Sequence, residues 1–462
     1  MYRFLTLNWR NFFLEIIFVQ LLISLFFLLS FDFGSLLHKQ LFYFYNQDWF
    51  SYTFGYDILS ILFIVLTSLI TLLCILINWN LKYKLKEFLI LLFFINLMLI
   101  NVFCILDLFM FYVYFETILV PMFLLIGIWG SRERKIQAAY KFFIYTLFGS
   151  LFMLIAILNI YYHFGTCDLQ FLQVNTISHF RQTLVCICFL IAFAVKVPMF
   201  PVHLWLPEAH VEASTTGSVI LASILLKLGT YAILRFIIPL FPAGILYLSP
   251  LFFVLSILGI IYASLSALRQ VDLKKIVAYS SIAHMNFVML GIFSMNLQGL
   301  EGSLFLMFSH ALVSSALFIC VGFLYDRYKT RIILYYSGLT QLMPLFSSIF
   351  FIFILSNLSF PGTSSFIGEF LVLVGCFAKN NVVSFWAATS ICLSAAYSLW
   401  FYNRIVFGNL NPKVILNFCD LTLREFCILL PLLFLNLFMG LFSTFFSSKW
   451  YSSIIYYLLK VV

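Results

Sequence analysis

Residues 183–212 read TLVCICFLIAFAVKVPMFPVHLWLPEAHVE. The stretch opens as an apolar run, and crossing a bilayer as a helix takes roughly 20 such residues. Lys196 sits inside it, and Pro198, Pro201 and Pro207 follow. Each proline removes a backbone donor and kinks or breaks a helix. Within a membrane such a break survives only where protein or water satisfies the freed groups. The stretch therefore predicts a discontinuous transmembrane helix with a lysine at its break. A second stretch, 343–377, repeats the pattern: Pro361 and Gly362 interrupt an apolar block, and Glu369 follows. Paired broken helices of this kind mark functional midplanes in membrane transporters.

The rest of the chain fits that reading. It is 64% hydrophobic and 9% charged, against roughly 25% charged in a soluble domain. A soluble fold could not hide so much apolar surface, so lipid is the solvent for most of it. Candidate spans run near 12–31, 56–78, 88–106, 108–129, 142–162, 183–212, 214–237, 245–268, 274–294, 302–324, 343–377, 382–403 and 425–446. The fold class expected is an all-α polytopic membrane protein of about thirteen crossings.

Loop charges test the count. With the N-terminus on side one, eighteen of the 26 basic residues fall there, in clusters such as Lys82–Lys84–Lys86, Arg132–Arg134–Lys135 and Arg327–Lys329–Arg331. Side two receives six: Lys39, Arg181, Arg235, Lys379, Lys449 and Lys460. A missed or invented span would scramble that bias, and side one is the negative interior, matrix or cytoplasm. The net charge of +9 thus follows topology, and no nucleic-acid partner is expected. The ten cysteines form neither a disulfide nor a metal framework, so no metal site is expected. No glycine-rich nucleotide fingerprint is present. Arg3 and Arg10 flank a full-length first span with no small-residue cleavage site, so no removable targeting peptide is expected.

Lys196 and Lys227 belong to neither side. An ionisable group at the bilayer centre costs ~3 kcal/mol or more, so those that remain usually have partners and a task. Glu116 lies mid-span in FYVYFETILVP (111–121), Lys227 in LASILLKLG (221–229), and Glu369 after the second break; His284 and His310 lie in adjoining spans. Structural ion pairs are the bland alternative, and they suffice for Glu15 and Glu425 near span ends. For Glu116 and Lys196, deep and of opposite sign, a proton-handling pair is the sharper reading. A neutral histidine bonded between helices is also common, so His284 and His310 stay open on their own. Lysine, histidine and carboxylate together across a midplane are what a proton wire needs.

A faint internal echo supports a repeat. Phe200-Pro201 recurs as Phe360-Pro361, and LFGSLF (147–152) resembles LVSSALF (312–318). Five spans per unit, an odd number, make the second unit inverted. The stretch from Lys196 (KVPMFPVHLWLPEAHVEAS), LLKLG with Tyr231 and Arg235, Phe115-Glu116-Thr, RQVDLKKIVAYSSIAHM ending at His284-Met and SHALVSSALF from Ser309 together resemble the antiporter-like, proton-pumping membrane subunits of respiratory complex I. The resemblance covers roughly residues 85–410, and Glu rather than Lys at 369 points to the chain 4 branch over chains 2 and 5.

The resemblance implies two inverted five-helix repeats, with divisions at 1–106, 107–268 and 269–407 and a C-terminal helix and tail at 408–462. It implies that Glu116 and Lys196 form a coupling pair, Lys227 is the central proton carrier, His284 and His310 extend the wire, and Glu369 ends it. The family usually has fourteen spans; the missing one is the first and lies outside the channel core. No cofactor is implied in this chain, with NADH, FMN, iron–sulfur clusters and ubiquinone in partner subunits. The implied partners are the other membrane-arm subunits, especially chains 2 and 5, and the bilayer. The phenylalanine excess, 59 residues, suits an organelle genome, so the mitochondrial inner membrane is expected before a bacterial plasma membrane, with the N-terminus in the matrix. The alternative function is the channel subunit of a cation/proton antiporter, which shares the midplane chemistry.

Overall fold

The computed structural model describes residues 2–31, 39–44, 52–175, 177–409 and 419–461. Lys413, one of the eighteen side-one basic residues, lies outside these residues, in the stretch 410–418. The chain opens with α1 (Tyr2–Leu29), a short hairpin of β1 (Lys39–Phe44) and β2 (Tyr52–Tyr56), α2 (Ile58–Ile77) and α3 (Leu85–Cys104). A first set of five crossings follows: α4 (Leu108–Thr117) with α5 (Leu119–Trp129), then α6 (Lys135–Phe164), then, past the short α7 (Leu169–Val174), α8 (His179–Lys196) with α9 (Trp205–Glu212). Residues 215–240 form α10, and α11 is Pro242–Arg269. The second set is α12 (Leu273–Ser294), α13 (Leu297–Tyr328), α14 (Pro344–Asn357) with α15 (Ser364–Lys379), α16 (Asn381–Val406) and α17 (Leu423–Leu441); α18 (Ser443–Val461) closes the chain.

Among the described residues twelve helices are long and apolar enough to cross a membrane. The interrupted pair α14/α15 supplies the thirteenth crossing. Both expected breaks are present, at 197–204 and 358–363. A third, milder irregularity lies just after Glu116: in the crossing at 108–129 the helical hydrogen-bond ladder lapses at Ile118, whose backbone itself stays right-handed helical. Pro121 accounts for it, since it cannot donate to the carbonyl of Thr117 four residues back. The fifth crossing of the second set, α17, lies beyond residue 407.

Residues 443–461, read as tail, are helical. Too polar to signal a span, they are held by tertiary packing: Trp450 is buried and stacks on Phe308 at 5.9 Å. The hairpin likewise had no clear sequence signal.

The centre of the molecule is formed by α10, α12 and α13, which are buried nearly all round. Two glycines set how closely α13 and α15 approach. A Cβ on Gly302 would lie 2.7 Å from the Val372 nitrogen, and one on Gly368 would lie 2.8 Å from the Leu306 nitrogen. Small residues at a crossing let backbones touch, and here the contact holds Glu369, next in sequence to Gly368, against the helix of His310.

Three residues counted as loop charges are buried instead. Arg235 donates to the carbonyls of Phe103 (2.5 Å) and Gly55 (3.2 Å), to the Tyr231 hydroxyl, and faces Asp57 at 3.7 Å. Lys274 donates to the Ala213 carbonyl at 2.8 Å, and Arg331 to the Val211 carbonyl and the Ser131 hydroxyl. Each cation satisfies carbonyls left free at a helix end, and the last two tie the second set of helices to α9. Glu425 is structural, as expected: it caps α17 and pairs with Arg327 at 2.5 Å.

Cys419 is exposed and precedes α17 on the side that carries the basic loops. A membrane-impermeant maleimide should therefore label Cys419 from that side in sealed membranes. The exposed Cys392 and Cys427 lie on spans and should stay unlabelled from either side. Labelling of Cys419 only from the opposite side would overturn the thirteen-crossing order.

Candidate functional site

The packing of α10 from the first set against α12, α13 and α15 of the second brings ionisable residues of both sets into contact. On α10 the backbone widens into a π-helical turn at Leu221–Leu225, just before Lys227; such bulges cluster at functional sites. The side chain of Lys227, fully buried, donates to the Ala222 carbonyl at 2.5 Å and meets Nδ1 of His310 at 2.6 Å. The residue thus has a local partner, the carbonyl five positions back, which sequence spacing did not reveal. His310 lies beside His284, with ring centroids 5.7 Å apart. Nδ1 of His284 is 3.0 Å from Oε1 of Glu369, and its Nε2 is 3.2 Å from Oδ1 of Asn357. Lys227, His310, His284 and Glu369 therefore form one row of buried groups.

Glu116 and Lys196 are close but do not form a bonded pair among the described residues. Asp107 caps the helix of Glu116, accepting from Phe109 at 2.8 Å and Met110 at 3.1 Å. The half-buried carboxylate of Glu116 interacts with the Lys196 charge and the Ser150 hydroxyl, yet its Oε1 has no hydrogen-bond partner. Lys196 is buried at the last turn of α8; its Nζ lies 4.1 Å from the ring centre of Phe115 and also lacks a hydrogen-bond partner. Orphaned buried polar atoms are rare and commonly mark water sites.

Several residues at the site were not singled out from sequence. Asn357 ends α14 just before the second break and holds His284. Ser264, Ser390, Ser394 and Tyr397 line a narrow cleft with His284 and Glu369; scattered hydroxyls in apolar helices are too common to stand out. His210 had a signal, since it lies in the opening stretch quoted above. It is fully buried, stacks on Phe318 at 4.7 Å, has neither ring nitrogen bonded, and interacts with both Lys274 and Lys227. Below it a charged cleft on side one is lined by Arg132, Lys141, Glu208, Glu212, Asp272 and Lys275. Among the described residues no cluster of His, Cys, Asp and Glu could hold a metal ion.

Comparison with known proteins bears on what this row of groups belongs to. The family described as NADH:quinone oxidoreductase/Mrp antiporter, transmembrane, matches residues 106–394. NADH-ubiquinone oxidoreductase chain 4 of Marchantia polymorpha is 58% identical over 87% of this chain and 81% of its own. Its counterpart in Arabidopsis thaliana is 56% identical over the same shares. The chain belongs to the NADH-ubiquinone oxidoreductase chain 4 family.

Solved structures agree. A chain of respiratory complex I from Thermus thermophilus superposes with a TM-score of 0.90 at 30% identity, covering 98% of this chain and 95% of that one. A chain of the Mrp complex from Dietzia superposes at 0.86 but with 20% identity, a likeness of fold alone. Within the chain 4 family, this member is a multi-pass membrane protein with two five-helix sets, each interrupted in its third crossing.

Proposed function

We propose that the chain is a proton-translocating membrane-arm subunit of respiratory complex I, coupling electron transfer from NADH to ubiquinone to proton movement through its buried row. The observation that carries this reading is the continuity from Lys227 through His310 and His284 to Glu369, with nitrogens or oxygens 2.6 Å and 3.0 Å apart at its two ends. Between the histidines, rings 5.7 Å apart at their centroids leave a step that one water molecule bridges. Histidine changes protonation near physiological pH, and His284 faces acceptors on both ring nitrogens. A second proton on that ring serves both, so His284 can hold a proton in transit between His310 and Glu369.

Glu116 acts on Lys196 through space. Its negative charge favours the protonated lysine, and movement or neutralisation of the carboxylate releases that proton towards Lys227. The unbonded atoms of both residues fit water between them. Protons reach Lys227 from the charged cleft on side one by way of His210.

In this reading the chain is part of the H+-translocating NADH:ubiquinone reductase and carries no redox centre of its own. NADH, FMN, iron–sulfur clusters and ubiquinone belong to partner subunits. Chains 2 and 5 flank it in the mitochondrial inner membrane, with the N-terminus and the 131–141 loop in the matrix. Chain divisions near 106/107 and 268/269 separate the leading helices and the two repeats. The antiporter alternative shares the fold, but chain 4 relatives with over 50% identity across most of the chain favour complex I.

The test is Glu369→Gln, which keeps shape and hydrogen bonding while removing the titrating group. Proton uptake into vesicles driven by NADH, normalised to assembled complex, should fall about tenfold or more, the effect of ~1.4 kcal/mol on a barrier. NADH oxidation by a water-soluble artificial acceptor should stay unchanged. Normal pumping in the Gln variant would remove Glu369 from the path.

A further inference from the structure

A surface cleft of about 210 Å³ lies between the side-two ends of α6 and α8 and shares no residue with the proton row; its Arg181 and His163 are exposed. Arg181, His163, Asn159 and Ser178 supply its polar wall, and Ile160 and Val185 its apolar floor. The Arg181 guanidinium donates to Nδ1 of His163 at 3.1 Å, so the imidazole accepts there and keeps its proton on Nε2. No carboxylate lines the cleft, and among the described residues Arg181 forms no ion pair. A guanidinium has five N–H donors in a planar fork suited to phosphate, and the contact with His163 uses one. The pocket thus presents a cation without counter-charge, on a side where basic residues are few.

What surrounds the pocket identifies the source of the anion. Tyr162 and Phe180 flank it at 85% and 75% exposure, amphipathic or aromatic rings of the kind found at the headgroup level. Towards the membrane interior, Ile155 and Leu158 of α6 and Leu184 and Ile187 of α8 turn exposed aliphatic side chains outward. Cation, aromatic collar and aliphatic bed follow one another as do phosphate, glycerol and acyl chains. We infer that this cleft binds the phosphate headgroup of an anionic phospholipid, whose acyl chains lie along α6 and α8. The two helices it braces carry Ser150, which faces Glu116, and Lys196.

The test uses the chain in its native assembly, reconstituted in phosphatidylcholine with a trace of photoreactive phosphatidylglycerol. Crosslinks should appear on peptides spanning 155–164 and 177–187. Unlabelled phosphatidylglycerol should compete, and added phosphatidylcholine should not. Arg181→Gln should lower the yield per assembled complex about tenfold, the worth of one charge-assisted contact, while Arg181→Lys, which keeps the charge, should retain most of it. Equal labelling by a photoreactive phosphatidylcholine, or an unchanged yield in Arg181→Gln, would overturn the site. Loss of crosslinking on adding inorganic phosphate alone would show that a free anion fills the cleft and would overturn the lipid.

Discussion

Replacing Lys227 with Arg should leave the complex assembled but reduce its pumping to about a tenth or less, as severely as Lys227→Ala. The charge survives the change, but proton exchange does not, because a guanidinium stays protonated at any working pH. The geometry adds a second cost. Nζ of Lys227 is a compact donor held between the Ala222 carbonyl at 2.5 Å and His310 at 2.6 Å, and a planar fork cannot fit both without moving α10 against α13. The measurement is NADH-driven proton uptake into vesicles, normalised to assembled complex by subunit content. An Arg variant that pumps near the normal rate would mean that only a fixed charge is needed at 227, and the residue would leave the wire.

The Glu116→Gln variant should lose both quinone-coupled NADH oxidation and pumping by about tenfold or more, with assembly intact. Glutamine keeps the shape and can still meet the Ser150 hydroxyl, so packing is preserved. What disappears is the negative charge felt by Lys196, whose buried Nζ has no hydrogen-bond partner to take its place. Two unit charges at 4 Å would interact by ~4 kcal/mol at an effective dielectric of about 20; Glu116 and Lys196 form no ion pair that close, but even a third of that energy is a factor of ten. Glu116→Asp, shorter by one methylene but still charged, should retain much of the activity. Equal loss in the Asp and Gln variants would point to shape, and normal pumping in Gln would end the idea of a coupling pair.

The contrast between these two sites shows how differently sequence and structure inform. Lys196, Lys227 and Glu369 were visible because an ionisable residue in an apolar run is anomalous whatever surrounds it. The two broken helices were visible for a similar local reason: Pro198, Pro201 and Pro361 remove donors that a continuous helix would use. Counting basic loops added the order of crossings, since charge bias depends on parity along the chain. The same rule applies to Pro121, whose missing N–H marks the lapse in the hydrogen-bond ladder just after Glu116.

Partnership was not legible in that way. Lys227 and His310 are 83 residues apart in the chain, and His284 and Asn357 are 73 apart. Whether they touch depends on the rotation of α10, α12, α13 and α14 about their axes, which the backbone contacts of Gly302 and Gly368 help set. The same packing leaves Glu116 near Lys196 without a bond, and buries Arg235, Lys274 and Arg331, which parity alone had assigned to loops. It also folds residues 443–461 into a helix through Trp450. A buried charge or a missing N–H is a property of one residue against its solvent and can be read along the chain; a 2.6 Å approach between two side chains is a property of packed helices and exists only in three dimensions.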